Sequence, residues 1–244
     1  MAKAPRPGAV KTRLVPPLVP EEAAALSLCF LSDMTANIAG VVADSGVTNR
    51  KGFVVYTPAG GGAVFERLLP AGFGLLAQRG ETLTDRLVRA TDDLLGLGFS
   101  SLCLINGDSP TLPREYLAAA AGALTHDGDR VVLGPADDGG YYLIGLKRAH
   151  HELFAGIDWS TAHVLKQTIE RADKLALEVE MLPSWYDVDD PPALRRLCDE
   201  LLNPDAGHAA SKDVESHAGY EAPHTRDYLA RLVASKGKEC LTGV

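Results

Sequence analysis

Short apolar runs alternate with longer segments of helical periodicity over most of the chain. Apolar residues recur at every fourth position from Leu26 to Ile38, which predicts a helix that begins at Pro20 and ends near Gly40. Further helices are predicted over 83–95, 113–124, 161–169, 191–202 and 225–235. Strands are predicted over 53–56, 74–78, 102–105, 130–135, 141–146 and 175–182.

This alternation of strands and helices predicts an α/β sandwich with a mostly parallel sheet. Strands 130–135 and 141–146 are separated only by an acidic glycine loop, which indicates a hairpin and therefore a mixed sheet. We expect one domain over residues 1–202. Residues 203–221 have the composition of a linker, and the rest of segment 203–244 supplies a C-terminal helix that packs on the domain.

The strand at 102–105 organises the expected site. Its four consecutive apolar residues predict burial on both faces, and Asp108 follows just beyond its carboxyl end, the edge of an open α/β sheet where ligands bind. A carboxylate there, with Ser109 beside it, suits Mg²⁺ or Mn²⁺ better than zinc. The alternative is a structural role, since Asp-Ser-Pro also forms Asx turns and helix caps.

Charge and cysteine content narrow the class of protein. The chain has 24 Lys and Arg against 32 Asp and Glu, a net charge of -8, which argues against a nucleic-acid or anionic-membrane surface over the whole protein. Four dispersed cysteines form no Cys-x-x-Cys pair, which favours a reduced, cytoplasmic protein. No uninterrupted apolar run has the length of a membrane span, so we expect no membrane partner.

The first fourteen residues are locally basic in this acidic chain. They carry Lys3, Arg6, Lys11 and Arg13, with no acid before Glu21. Proline and glycine favour a loop here, and a loop with basic side chains and exposed backbone N–H groups can hold a pyrophosphate. The alternative is a solvated basic terminus.

Three later segments also carry candidate chemistry. The loop at Gly139 and Gly140 lets a ligand approach the backbone beside two carboxylates, although a plain Asp-Gly turn has the same sequence. Ser160 is the predicted N-cap of the following helix, whose N-terminus would suit an anion. Segment 187–190 holds three acids, which either share a cation or face the positive end of a helix dipole.

Several motifs in order resemble the DUF2064 family of glycosyltransferase-like proteins. They are Lys3-Ala-Pro-Arg-Pro-Gly8 with Val10-Lys11-Thr12-Arg13-Leu14, Gly107-Asp108-Ser109-Pro110, Gly134 to Leu146, Trp159-Ser160-Thr161 and Asp187-Val188-Asp189. The resemblance runs from Lys3 to about Leu202. It implies the GT-A fold of the nucleotide-diphospho-sugar transferases, a three-layer α/β/α sandwich.

The resemblance also implies roles for individual residues. Asp108 takes the position of the metal-binding acid, and Asp187 and Asp189 that of the later acid, around Mg²⁺ or Mn²⁺. The implied nucleotide contacts are Lys3, Pro7, Gly8, Lys11, Arg13, Gln78 and Arg86. The implied acceptor contacts are Gly139, Gly140, Tyr141, Trp159, Ser160 and Thr161, with Asp138 as the base if the sugar is inverted.

Two departures from the family pattern are visible. Thr84 stands where a glycine is usual, in the segment expected to contact the nucleotide. Related chains begin with an apolar strand before the basic loop, whereas Met1 here falls directly on that loop. We therefore expect the first central strand to be missing, which would leave its two neighbours with unpaired backbone groups.

These features predict a metal-dependent transferase that uses a nucleotide-activated donor. The leading expectation is glycosyl transfer from a nucleoside diphosphate sugar to a small-molecule acceptor. One alternative is a nucleotidyltransferase that joins an NTP to a phosphorylated acceptor, because the basic loop also resembles that of guanylyltransferases. Another is a nucleotide-binding module without catalysis. Donor base, sugar, acceptor and oligomeric state do not follow from the sequence.

Overall fold

A computed structural model of the chain describes residues 1–44, 50–203 and 218–237. The strands are β1 (Ala2–Lys3), β2 (Phe53–Thr57), β3 (Gly74–Ala77), β4 (Leu102–Ile105), β5 (Arg130–Pro135), β6 (Tyr141–Leu146) and β7 (Glu178–Met181). The α-helices are α1 (Pro20–Asp44), α2 (Gly62–Glu66), α3 (Leu83–Gly96), α4 (Arg114–Ala123), α5 (Val164–Lys174), α6 (Pro191–Leu202) and α7 (Pro223–Lys236). Most of the predicted linker lies outside the described residues.

The described strands form two sheets, with orders β1-β2-β3 and β4-β6-β5-β7. Strands β1, β2 and β3 are parallel, and β7 is parallel to β5. Strand β6 is antiparallel to both β4 and β5. The predicted hairpin and the mixed, mostly parallel α/β architecture are therefore confirmed.

Helices cover both faces of the larger sheet. On one face, apolar side chains of α3 and α5 pack with β4, β5 and β6, as at Leu87, Leu133 and Ile144. On the other face, α1 and α4 pack against alternate residues of the same strands, as at Val132 and Leu143. Because β5 and β6 are covered on both sides, they tolerate continuous apolar sequence. This is the three-layer α/β/α arrangement.

Strand β4 is less enclosed than its sequence predicts. Leu102 and Leu104 are buried, but Cys103 and Ile105 are only partly so. Within the described residues β4 pairs with β6 alone, so its other edge faces a cavity of about 590 Å³ between the two sheets. Both faces of β4 thus pack against the core, but the face with Cys103 and Ile105 is only partly buried because β4 ends a sheet instead of lying inside one.

The first strand is short in this structure. Only Ala2 and Lys3 pair with β2, opposite Tyr56 and Thr57. The α-ammonium of Met1 donates a hydrogen bond to the carbonyl oxygen of Ile105, at 2.7 Å, which is the link from this segment to β4. Strand β1 therefore stands between β2 and β4 at the carboxyl end of both strands.

Helix α1 continues past Gly40, its predicted end, to Asp44. A Cβ at Gly40 would lie 2.5 Å from the guanidinium carbon of Arg114, so the glycine makes room for this arginine of α4. Among the described helices, α1 has the length and apolar composition that could cross a membrane, but half of that stretch is buried inside the protein. Residues such as Leu26 and Phe30 belong to the core.

The C-terminal helix α7 is attached to α1 through a buried carboxylate. Both oxygens of Asp33 accept backbone hydrogen bonds at the start of α7, from His224 at 3.0 Å and Thr225 at 2.8 Å. Ala222 at the N-cap position offers no side-chain acceptor, so Asp33 caps α7 from another helix. Leu229 and Leu232 then pack into the core beside α1 and α6.

We expect Asp33→Ala to lower the free energy of unfolding by about 2 kcal/mol, because the buried N–H of Thr225 and the partly buried N–H of His224 lose their acceptor. Urea denaturation measures this loss, and hydrogen exchange should show faster exchange in α7. Asp44→Ala is the control, since this exposed residue of α1 forms only a 3.4 Å pair with Arg114 and should change stability by less than about 0.5 kcal/mol. Equal losses in the two variants would contradict the capping role.

Candidate functional site

Lys11 is the central side chain of the candidate site. It has left-handed backbone angles, φ 49° and ψ 37°, immediately before a 3₁₀ turn at Thr12–Leu14. This conformation is uncommon for a residue with a side chain. It directs the ammonium inward, so that only 4% of the side chain is exposed and Nζ lies 5.1 Å from the centre of the Phe30 ring.

The ammonium of Lys11 joins two distant acidic segments. Its Nζ lies 2.5 Å from an oxygen of Asp108 and 3.1 Å from an oxygen of Asp189, and it donates to the carbonyl of Val188 at 2.8 Å. Arg13 pairs with the second oxygen of Asp189. The backbone N–H of Val188 also donates to the carbonyl of Asp108 at 2.8 Å, which fixes the two segments side by side.

These groups surround an open cavity of about 260 Å³ at the carboxyl ends of β1 and β4. Residues of the basic loop form one wall, and the segments that follow β4 and precede α6 form the other. The charged lining residues are Lys3, Lys11, Arg13, Asp108 and Asp189. The structure therefore brings together the basic loop and the two acids that the sequence proposes separately.

Lys11 remains charged in this environment. Burial opposes its charged form, but the carboxylates of Asp108 and Asp189 outweigh burial and raise the pKa of Lys11 above its usual value. A permanent positive charge thus lies between two carboxylates that retain partial access to solvent, with 42% and 33% of their side chains exposed.

Asp187, in contrast to Lys11, lies in surroundings that disfavour its charged form. Burial raises its pKa to about 6, and the nearby negative charges of Asp138 and Asp189 act in the same direction. At Asp187, the negative charges of the surrounding carboxylates therefore outweigh the positive charges of Lys11 and Arg13.

The donor chemistry of this cluster fits a hard divalent cation, because its carboxylates share a negative field and Mg²⁺ prefers oxygen ligands. However, Lys11 already lies between Asp108 and Asp189. Across residues 1–44, 50–203 and 218–237, no three His, Cys, Asp or Glu side chains converge closely enough to hold an ion together. A cation would thus take one or two carboxylates and complete its shell with phosphate or water.

The loop between β5 and β6 lies next to the acidic cluster. Gly139 has φ +87°, and a Cβ there would lie 2.5 Å from the backbone oxygen of Ala162, so glycine is required. Its carbonyl accepts a hydrogen bond from Leu165 of α5 at 2.9 Å. Asp138 accepts from the N–H of Gly140 at 2.8 Å, which is the expected turn geometry. Its charge also acts on Asp187.

Trp159 is held by the residue that departs from the family pattern. Its indole Nε1 donates to the hydroxyl of Thr84 at 2.8 Å, and that hydroxyl donates to the carbonyl of Phe154 at 3.1 Å. Tyr141 packs edge-on against Trp159, with 6.5 Å between ring centres. Thr84 therefore positions an aromatic side chain on the expected acceptor side, a role that a glycine could not supply.

Ser160 is not the helix cap that its sequence predicts. It has φ 63°, and α5 begins only at Val164, after His163 at the N-cap position. Thr161 donates to the carbonyl of Asp158 at 2.7 Å, so its hydroxyl closes a turn before the helix. The expected anion site at a helix N-terminus is absent at Ser160 because this tertiary turn displaces the start of the helix.

Gln78 and Arg86 both bind backbone groups. The amide nitrogen of Gln78 donates to the carbonyls of Val55 at 2.8 Å and Ala2 at 3.3 Å, so it links β1 to β2. Arg86 donates to the carbonyls of Gly80 and Glu81, which supports the turn before α3. Their proposed nucleotide contacts stay predictions, and the donors named here already have partners inside the protein.

The rest of the basic loop is more open. Lys3 is exposed and lines the 260 Å³ cavity. Pro7 and Gly8 form an exposed turn, closed by a backbone hydrogen bond from Ala9 to Arg6 at 3.0 Å, and Gly8 has φ +72°. The positive φ of Gly8 and the exposure of both residues fit a loop that adapts to a ligand.

The sequence analysis missed Arg196 as a member of the site region. Its guanidinium lies 3.8 Å from the centre of the Tyr186 ring and pairs with Asp137 at 2.8 Å. This pair attaches the loop before β6 to α6. An arginine on a helix gives no local signal of such a role, because its partner lies 59 residues away.

We expect Asp187→Asn to stabilise the protein above pH 6 by about 1 kcal/mol, and to have no effect below pH 4. The pKa of Asp187 is about 6 in the folded chain and about 3.9 in the unfolded chain, so ionisation favours unfolding as pH rises through this window. The expected gain is smaller than the full pKa shift would give, because solvent screens the charge of a partly exposed group. Urea denaturation in EDTA buffer at pH 4 to 8 measures the difference. Asp127→Asn, the same exchange at an exposed position, is the matched control.

Comparison with known proteins agrees with the motifs. Residues 42–161 match the family model described as "Uncharacterized protein conserved in bacteria (DUF2064)". The crystal structure of a "putative nucleotide-diphospho-sugar transferase" from Desulfovibrio desulfuricans G20 is 31% identical, with a TM-score of 0.73 and 94% of each chain covered. No significant match is found among curated proteins.

A second solved structure has weaker similarity. It is CMP:2-keto-3-deoxy-manno-octonic acid synthetase complexed with CTP, with a TM-score of 0.48, 11% identity, and coverage of 72% of this chain and 88% of that chain. A similarity at that level identifies neither a family nor an activity. The motifs, the family model and the relative with 31% identity agree, and the chain belongs to the DUF2064 family.

Proposed function

We propose that this protein is a transferase that uses a nucleotide-activated donor, and that it moves a glycosyl group from a nucleoside diphosphate sugar to a small-molecule acceptor. The observation that carries the proposal is the 260 Å³ cavity in which Lys11, Asp108 and Asp189 meet. It combines positive groups for a pyrophosphate with carboxylates for its counter-cation.

The basic loop would bind the pyrophosphate of the donor. Lys3 and Arg13 line the cavity and are exposed enough to reach a ligand, and Lys11 provides a buried positive charge at its floor. Cations at this position stabilise the negative charge that develops on the departing nucleoside diphosphate. Arg13 would exchange its contact with Asp189 for phosphate oxygens.

Asp108 and Asp189 would hold Mg²⁺ or Mn²⁺, with Asp187 close enough to add to the negative field. Such a cation, when bound, neutralises the diphosphate charge and assists departure of the leaving group. The carboxylates of Asp108 and Asp189 are partly exposed to solvent. This exposure would allow a phosphate to supply the other ligands of the cation.

The acceptor would bind on the side of Asp138, Tyr141 and Trp159. If the sugar is inverted, a carboxylate must take the proton of the acceptor hydroxyl, and Asp138 is our candidate for that base. Thr84 would keep Trp159 in place for this purpose. The glycines of the neighbouring loop would allow the acceptor to approach the backbone closely.

Nucleotidyl transfer is the second candidate. The observation that favours it is that Asp108 and Asp189 converge on one cationic group, since paired carboxylates also serve metal-assisted attack on an α-phosphate. Release of pyrophosphate from an NTP would distinguish this reaction from glycosyl transfer.

A thermal-shift titration against UDP-, GDP- and ADP-sugars and the four NTPs, with and without Mn²⁺, tests the proposal. At 100 times its dissociation constant, a ligand should stabilise the protein by about 2.7 kcal/mol. We expect one nucleotide sugar to stabilise the protein in a Mn²⁺-dependent manner. Asp108→Asn should lose that effect, whereas the exposed Asp127→Asn should keep it.

A response to an NTP alone would favour nucleotidyl transfer. Binding without turnover over a broad acceptor panel would favour a non-catalytic module, and no response would contradict both enzymes.

We further expect Lys11→Met to weaken binding of the responding nucleotide by about tenfold or more, because a charge-assisted contact contributes about 1.5–3 kcal/mol. Isothermal titration calorimetry measures this change, and circular dichroism checks that the variant is folded. The matched control is Lys166→Met, an exposed lysine of α5 that lies 4.0 Å from Glu170. Unchanged affinity in the folded Lys11 variant would exclude Lys11 from the binding site.

A further inference from the structure

Glu200 of α6 is a partly buried carboxylate that does not line the 260 Å³ cavity. One of its oxygens accepts a hydrogen bond from the hydroxyl of Tyr186, and the hydroxyl of Thr111 lies 3.3 Å from the same oxygen. Tyr186 and Thr111 are themselves buried. The carboxylate of Glu200 therefore joins two buried hydroxyl groups that come from different segments of the chain.

The two hydroxyl groups belong to the segments that carry the acids of the candidate site. Thr111 follows Asp108 by three residues, and Tyr186 precedes Asp189 by three residues. Three residues of chain span at most about 10 Å even when they are fully extended. The position of each hydroxyl-bearing residue therefore restricts the position of the neighbouring acid.

The segment from Asp108 to Thr111 is a closed turn. The backbone N–H of Asp108 and the hydroxyl of Ser109 both donate to the side-chain oxygen of Asn106, each at 3.3 Å. The N–H of Leu112 donates to the carbonyl of Ser109 at 3.0 Å. Because these bonds hold the turn, an attachment at Thr111 acts on Asp108 through a backbone with little freedom.

The link through Glu200 adds to a backbone contact between the same two segments. The N–H of Val188 donates to the carbonyl of Asp108 at 2.8 Å, but a single hydrogen bond fixes a distance and leaves the segments free to rotate about it. The hydroxyl oxygens of Thr111 and Tyr186 lie 3.2 Å apart and share the carboxylate of Glu200. This second attachment restricts the rotation, and with it the separation of the two acids.

The surroundings of Glu200 indicate that its carboxylate is used for this link. Gly219 packs against it so closely that a Cβ there would lie 2.2 Å from its other oxygen, and Arg196 covers the face of the Tyr186 ring at 3.8 Å. Burial raises the pKa of Glu200, against the hydrogen bonds that it accepts. An apolar side chain would fill this space at a lower desolvation cost, so the carboxylate adds a directed contact with both hydroxyls.

We propose that Glu200 is a positioning residue for the candidate site. Through the hydroxyls of Tyr186 and Thr111, it holds the two acidic segments at the separation at which both carboxylates reach the ammonium of Lys11. The positioning of Lys11 is a property of the folded chain alone. Its consequence for nucleotide binding rests on the proposed function, so the two are measured separately.

Two substitutions at Glu200 and one at Tyr186 test the proposal. Glu200→Leu keeps much of the side-chain volume but offers no acceptor, whereas Glu200→Gln keeps an acceptor oxygen and should preserve the link. Tyr186→Phe removes one hydroxyl only and should act like Glu200→Leu. The matched control is Asp199→Leu, which removes a carboxylate at the exposed neighbouring position of α6. Circular dichroism checks that each variant is folded.

The first measurement is proton exchange at the Lys11 ammonium by NMR, with the signal assigned by its loss in Lys11→Met. We expect Glu200→Leu and Tyr186→Phe to speed this exchange roughly tenfold, because the acceptors of Lys11 are no longer held together. Glu200→Gln and Asp199→Leu should leave it unchanged. Lower stability with unchanged ammonium exchange in folded Glu200→Leu would show a structural role alone and overturn the proposal, as would the absence of a protected Lys11 signal in the unsubstituted chain.

The second measurement is the affinity for the nucleotide that stabilises the unsubstituted chain, by calorimetry. We expect Glu200→Leu to weaken binding about tenfold or more, and Glu200→Gln to keep the original affinity. Faster ammonium exchange with unchanged affinity would overturn the consequence for binding. If no nucleotide binds even the unsubstituted chain, the proposed function fails, whereas faster ammonium exchange in Glu200→Leu would still support the positioning role.

Discussion

The placement of one ammonium group determines the arrangement of the candidate site. Lys11 meets Asp108 from the end of β4 and Asp189 from the segment before α6, and the sequence separations are 97 and 178 residues. Both carboxylates contact the same ammonium, and they would repel each other in a partly buried cleft without this positive charge between them. The left-handed backbone of Lys11 is the local cost of placing that charge, and the hydrogen bond to Val188 helps to offset it.

The basic loop takes its shape mainly from contacts with neighbouring segments. The basic loop has few regular backbone hydrogen bonds, so its shape depends on neighbours: Phe30 beneath Lys11, Asp189 beside Arg13, and Gln78 across β1 and β2. Outside the lining of the cavity, a side-chain hydrogen bond joins Trp159 to Thr84. The basic loop therefore depends on charged and polar contacts with its neighbours, and Trp159 on a hydrogen bond.

Structural elements that depend on neighbouring residues could be predicted from the sequence. The β5–β6 hairpin, helix α6 and the position of Asp108 after β4 depend on short-range patterns and were predicted. The errors arose where tertiary contacts override local preference. Gly40 lies within α1, where Arg114 packs over it, and Ser160 lies in a turn before α5. Local patterns could not reveal that Lys11 bridges Asp108 and Asp189, or that Asp33 caps α7.

The cap that Asp33 provides has a practical consequence for how the protein can be divided. A chain cut before residue 218 would leave a carboxylate buried in α1 without its two donors and would uncover the apolar surface that Leu229 and Leu232 occupy. Because Phe30 lies one turn away on the same helix and contacts Lys11, disturbance at the C-terminus would reach the cleft through α1. Fragments for crystallography or fusion partners should therefore retain α7, even though it lies far along the chain from the residues that form the site.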